Sequence, residues 1–204
     1  PTIRDLYLVY DLPFARQSYD EIMEGVRLSG RVSNLQSFLD RCQEGTLEAE
    51  VVVVISDKPA AYALERARQA GITAFGLEIR SFPGKREYEQ AVVKLLQDAG
   101  VELVCLAGYM RLVGESLLRA FPNRIMNIHP ALLPSFTGLH GQRDALQYGV
   151  KISGCTVHFV DEGMDTGPII VQAAAPVPDN VTEESLSAPY LTGYSGPYHK
   201  GMLS

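Results

Sequence analysis

No apolar run in this 204-residue chain approaches the roughly 20 residues needed to cross a bilayer, so a membrane span is not expected. The first 25 residues lack a basic start followed by an apolar core and instead carry Asp5, Asp11, Asp20, Glu21 and Glu24, so they do not read as a secretory signal. The expected compartment is the cytoplasm. Basic charge is also scarce: 18 Lys and Arg face 24 Asp and Glu, a net charge of −6, which argues against a basic face for nucleic acid. An anionic substrate must then be met locally. Cysteine is limited to Cys42, Cys105 and Cys155, widely spaced among apolar neighbours, which predicts buried thiols in a reducing compartment and not a disulfide framework. Neither these cysteines nor the histidines have the spacing of a zinc site, and no metal is expected. There is no internal repeat or low-complexity tract. What is present is 46% hydrophobic residues over a length that fits one domain, residues 1–204, with a well-filled core.

The elements alternate. Val51, Val52, Val53, Val54 and Ile55 form a β-branched run without polar alternation, the pattern of a strand buried on both faces of a sheet. Residues 60–70 favour helix and end at Gly71, and residues 73–77 follow as a strand. Residues 87–99 place Ala91, Val92, Leu95 and Leu96 at helical spacing before Gly100. A strand is predicted over 101–107, a short helix over 116–120, a strand over 124–128 and a helix over 142–148. Two more strands follow, over 153–160 and 169–175. This succession predicts an α/β fold: an open, mostly parallel twisted sheet with helices on both faces. Ligands of such sheets bind beyond the carboxyl ends of the strands.

Several groups could carry chemistry. Ser33 and Gln36 form a capping box for a helix over 35–42, and the loop before it, with Gly30, offers free amides and partial positive charge to a phosphate. The same residues also suit an ordinary capped turn. Asn127 and His129, two apart in a strand, project from one face, where an amide can donate to an oxyanion and an imidazole can move a proton. Asp165 lies in the glycine-flanked turn Glu162-Gly163-Met164-Asp165-Thr166-Gly167, where it either bonds backbone amides or reaches over the strand ends to favour the imidazolium of His129. His158, between Val157 and Phe159, reads as a packing residue. His140, between Gly138 and Gly141, suits substrate contact or plain exposure, and His199 suits the surface. Arg111 suits either a carboxylate partner or solvent.

Four motifs converge on one family. Ser33-Asn34-Leu35-Gln36, Leu106-Ala107-Gly108-Tyr109-Met110-Arg111, Asn127-Ile128-His129-Pro130 with Leu132-Leu133-Pro134, and Gly154-Cys155-Thr156-Val157-His158-Phe159-Val160 through Asp165-Thr166-Gly167 resemble the phosphoribosylglycinamide formyltransferases, folate-dependent enzymes with a Rossmann-like fold. The resemblance runs from about residue 29 to about residue 186. It implies transfer of a formyl group from 10-formyltetrahydrofolate to the amine of glycinamide ribonucleotide in purine synthesis, with small-molecule substrates and no metal. It further implies His129 as acid and base, Asn127 as oxyanion donor, and Asp165 as the carboxylate that tunes His129. Val32, Ser33 and Asn34 would meet the substrate phosphate. Lys85, Met110, Arg111, Leu112, Val113, Asn127 and Asp161 would meet the folate.

The chain departs from the family at both ends. Val32 stands where the family's phosphate loop has its second glycine, and a β-branched residue is costly if that position needs positive φ. Residues 1–25 and 187–204 are atypical; Leu6, Tyr7, Leu8, Val9 and Tyr10 could supply a missing edge of the sheet, while Pro189, Gly193, Gly196 and Pro197 break the helix that the family has there. Two other readings stay open. One is a related enzyme, a formyltetrahydrofolate deformylase or a methionyl-tRNA formyltransferase, each of which adds a domain in its family. The other is a folate-binding protein without transferase activity. Oligomeric state is not legible, a homodimer included.

Overall fold

In a computed structural model, the described residues are 6–11, 34–44, 49–107, 109 and 111–178. They build one seven-stranded sheet with helices on both faces. In chain order the elements are β1 (Leu6–Asp11), α1 (Asn34–Glu44), β2 (Glu50–Ser56), α2 (Tyr62–Gln69), β3 (Thr73–Gly76), a 3-10 turn (Ile79–Ser81) and α3 (Lys85–Asp98). β4 (Leu103–Ala107), α4 (Glu115–Ala120), β5 (Ile125–His129), α5 (Gly141–Tyr148), β6 (Ile152–Phe159) and β7 (Ile169–Pro176) complete them. Each expected helix and strand within these residues is present with small shifts at its ends. No helix among the described residues is long and apolar enough to cross a membrane.

The strand order is β3-β2-β1-β4-β5-β6-β7. β2 and β3 pair in parallel, as do β4 and β5, while β1 is antiparallel to both β2 and β4, and β6 to both β5 and β7. Five strands (β2, β3, β4, β5 and β7) therefore run one way and only β1 and β6 run against them, so the sheet is mostly parallel in direction. One expectation is overturned: β1 does not complete an edge but lies in the interior between β2 and β4. The physical reason is hydrogen bonding. The facing edges of β2 and β4 would each present unpaired N–H and C=O groups in the middle of the sheet, and a strand between them satisfies both.

Alternation divides the core in two. Val54, Leu103, Cys105, Met126 and Val157 pack with Leu35 and Phe38 of α1 and Ala63, Leu64 and Ala67 of α2 on one face. Val53, Ile55, Val104, Leu106 and Ile125 pack with Tyr88, Val92 and Leu96 of α3 and Leu117 of α4 on the other. Val51 and Val53 are two apart yet face opposite sides. The register explains this: Val9 pairs with Val53 and Tyr10 with Val51, leaving Val52 as the extra residue of a bulge. The three thiols are free, with Cys105 and Cys155 buried and Cys42 half-buried. Burial raises the Cys105 thiol pKa well above the ordinary thiol range.

Candidate active site

The site is built where β5 ends. Its Ile125–His129 strand sends Met126 toward the α1 and α2 face and Ile125 toward the α3 and α4 face, so Asn127 and His129 share the side of Ile125. β6 lies beside it in antiparallel register, which sets Asn127 opposite His158 and His129 opposite Thr156. Four polar side chains thereby stand on one face of two adjacent strands, although 31 residues separate Asn127 from His158.

Both nitrogens of the buried His129 ring face oxygen. Nε2–H donates to the Phe136 carbonyl at 2.8 Å, and Nδ1 lies 3.3 Å from Asp165 Oδ2. The same carboxylate oxygen accepts from the Gly138 N–H at 2.7 Å, and Oδ1 lies 3.6 Å from His158 Nε2. Asp165 therefore both bonds a backbone amide and reaches the imidazole, the two roles its turn allowed. It does so from the left-handed region, φ 57°, and Phe136 adopts φ 54°, conformations that non-glycine residues rarely occupy and that gather at functional sites. Burial of Asp165 raises its pKa, but the His158 bond, the Gly138 N–H and the charges of both imidazoles outweigh burial and lower it below the ordinary carboxylate range. The carboxylate is thus ionised beside two rings that can each take a proton.

One nitrogen of the His158 ring has two partners within reach. The ring's Nδ1–H donates to the Phe159 carbonyl at 2.9 Å. In the neutral ring Nε2 accepts from Asn127 Nδ2 at 3.3 Å, whereas in the charged ring Nε2–H is directed to Asp165 at 3.6 Å. The expectation of a satisfied packing residue agrees with its burial, and left out the contact with Asp165. A signal was available: Thr156 and His158 alternate with Val157, which lies in the α1 and α2 core, so the two polar residues must leave by the opposite face.

The turn after β5 is held from β6 and β7. Thr156 Oγ1 donates to the Ala131 carbonyl at 2.7 Å and accepts from Leu133 N at 3.0 Å and Gln172 Nε2 at 3.0 Å. Gln172 Nε2 also donates to the Leu133 carbonyl at 2.9 Å. Gly141 at the start of α5 closes the same corner, since a Cβ there would stand 2.8 Å from the Phe136 carbonyl and 3.0 Å from His129 Nε2.

The remaining candidates are spread around this centre. Asp161 Oδ1 accepts from Gly163 N at 3.0 Å and Thr166 Oγ1 at 2.7 Å, which shapes the turn that carries Asp165. Arg111 pairs with Asp57, at the end of β2, at 3.1 Å. Leu112 is exposed, whereas Val113 is buried in the α3 and α4 core. Lys85 donates to the Leu112 carbonyl at 2.6 Å. His140 is exposed at the start of α5. Asn34 opens α1, while Val32, Ser33, Met110 and His199 lie outside the described residues. A groove of about 520 Å³ at the opposite, amino ends of β2 and β3 holds no comparable group. Its Cys42 thiol is pushed up to about 11 by burial and by Glu50, so it is not a thiolate near neutral pH.

Comparison with known proteins agrees with this geometry. The family model described as formyl transferase matches residues 25–192. The phosphoribosylglycinamide formyltransferase of Bacillus subtilis is 44% identical over 158 residues, which cover 78% of this chain and 81% of that protein. The trifunctional purine biosynthetic protein adenosine-3 of Drosophila melanogaster is 46% identical over 79% of this chain, and the match spans only 12% of that longer protein. Among solved structures, glycinamide ribonucleotide transformylase 1 from Symbiobacterium toebii superposes with a TM-score of 0.76 at 54% identity, covering 81% of this chain and 77% of that one. The phosphoribosylglycinamide formyltransferase of Bacillus halodurans gives 0.75 at 43% identity, covering 81% and 84%. With a family match over most of its length and this identity to B. subtilis, the chain belongs to the phosphoribosylglycinamide formyltransferase family of formyl transferases.

Proposed function

We propose that the chain transfers a formyl group from 10-formyltetrahydrofolate to the amine of 5'-phosphoribosylglycinamide. The observation that carries this reading is the grouping of Asn127, His129 and an ionised Asp165 on one face at the end of β5. In the reaction the amine nitrogen attacks the formyl carbon, and the carbonyl π electrons become an oxyanion. The Asn127 amide donates to that oxygen. The nitrogen loses a proton, the bond from carbon to the folate N10 breaks, and N10 gains a proton. His129 holds the proton in transit and Asp165 stabilises the resulting imidazolium, directly or through one water. The products are formylglycinamide ribonucleotide and tetrahydrofolate.

Each of these roles is typically worth a factor of about 10² or more in rate. The folate meets the segment after β4, with Arg111 and Leu112, and the turn that carries Asp161. The phosphate meets the start of α1, where Asn34 stands. Folate-product absorbance, followed with purified protein and 10-formyltetrahydrofolate, tests the reading. Turnover only with glycinamide ribonucleotide supports it. Turnover without the ribonucleotide would make the chain a deformylase, and folate binding without turnover a binding protein.

A further inference from the structure

Glu89, on α3, is a buried carboxylate that the proposed chemistry leaves unused, with 3% of its side chain exposed. Its Oε1 accepts from the Gly114 N–H at 2.8 Å and lies 3.6 Å from Lys85 Nζ, one helical turn earlier. Lys85 in turn donates to the Leu112 carbonyl at 2.6 Å. Two charged groups on successive turns of α3 therefore grip the segment 112–114 at two backbone atoms. The contact is close: a Cβ on Gly114 would lie 2.0 Å from Glu89 Oε2, so a larger residue there would have to displace the carboxylate. Between the two grips Val113 is buried in the core, while Leu112 is left 46% exposed. A charge is rarely buried unless it is paired and hydrogen-bonded, and here both partners belong to one short stretch of loop or to the lysine that holds it.

We propose that Glu89 is a positioning residue for the formyl-folate side of the site, acting with Lys85 to set the backbone of 112–114 and so the placement of Leu112. This rests on the reading of the segment after β4 as a folate wall. Lys85 works chiefly as a strut of that wall. Its side chain is 46% exposed.

The test is steady-state kinetics of Glu89→Ala, Glu89→Gln and Lys85→Met with both substrates varied, beside titration of each protein with 10-formyltetrahydrofolate alone. Glu89→Ala is expected to raise the KM and Kd for formyl folate about tenfold, the worth of one hydrogen bond to a buried charge, with the ribonucleotide KM within about twofold. Glu89→Gln retains an acceptor for Gly114 N–H and is expected to restore part of the loss. If Glu89→Ala does not fold, the Gln and Met variants carry the test. Because both grips hold one segment, the double variant Glu89→Gln with Lys85→Met should lose less than the product of the single losses. A lowered melting temperature with unchanged folate KM in folded variants, or an equal rise in both KM values, would overturn the inference. Wild-type protein that neither turns over nor binds folate would instead overturn the functional reading on which it rests.

Discussion

Replacing Thr156 with valine preserves the shape of a fully buried side chain and removes one hydroxyl that serves three partners. The Ala131 carbonyl and the Leu133 N–H, both on buried residues, lose the hydroxyl as partner, whereas Gln172 keeps its bond to the Leu133 carbonyl. An orphaned buried polar group costs about 1–3 kcal/mol, so two such groups with partial relaxation give a loss of about 3 kcal/mol. In a domain of this size that corresponds to a fall in Tm of about 6–12 °C. The consequence reaches the chemistry, because the turn that Thr156 holds delivers the Phe136 carbonyl to His129 Nε2. A loosened turn frees the ring from its fixed orientation, and kcat is expected to fall by about tenfold or more. Urea unfolding and steady-state turnover of Thr156→Val and Thr156→Ser form the assay, with the serine retaining the hydroxyl and most of both properties. An unfolding free energy for Thr156→Val within about 0.5 kcal/mol of the parent would refute the reasoning, since that is the range of an inconsequential substitution.

Asp165→Asn is expected to lower kcat by about a hundredfold while leaving substrate binding far less affected. Because the fold lowers the Asp165 pKa, its stabilising contribution is fully present above the unfolded value, near pH 4, and is lost as pH falls through the lower folded value. Urea unfolding at falling pH should therefore show the gap between parent and Asp165→Asn closing in the acid range, below about pH 4. A gap that does not shrink there would assign the acid titration to another group. Gly141→Ala drives a methyl group against the Phe136 carbonyl, and kcat should drop about ten- to a hundredfold although alanine suits a helix better than glycine; unchanged turnover would show that the corner yields without cost. His158→Ala is expected to reduce kcat more than it raises either KM, and a kcat within about twofold of the parent would return His158 to a packing role.

The sequence by itself determined the local elements and the pairing of function with face. Period-2 alternation through Asn127 and His129, the unbroken β-branched run of β2 and the helical spacing of Val92 and Leu96 are properties of neighbouring residues, so they could be read without any partner. The position of Asp165 in a glycine-flanked turn was equally legible. That it fills both of its roles was not, because that depends on where the turn lies relative to the loop that ends in Gly138. Tertiary structure alone decided the rest. The antiparallel register of β5 with β6 sets His158 beside Asn127, and a slip of one residue would have turned His158 to the other face. β1 took an interior place because two facing strand edges needed hydrogen-bond partners, a requirement invisible in the six residues of β1 themselves. Glu89 looks in sequence like one more polar position of α3, and only the passage of Gly114 across it makes a buried carboxylate tolerable. Propensity and periodicity describe neighbours along the chain, while register, desolvation and charge pairing join groups far apart in it, and this site is made of the latter.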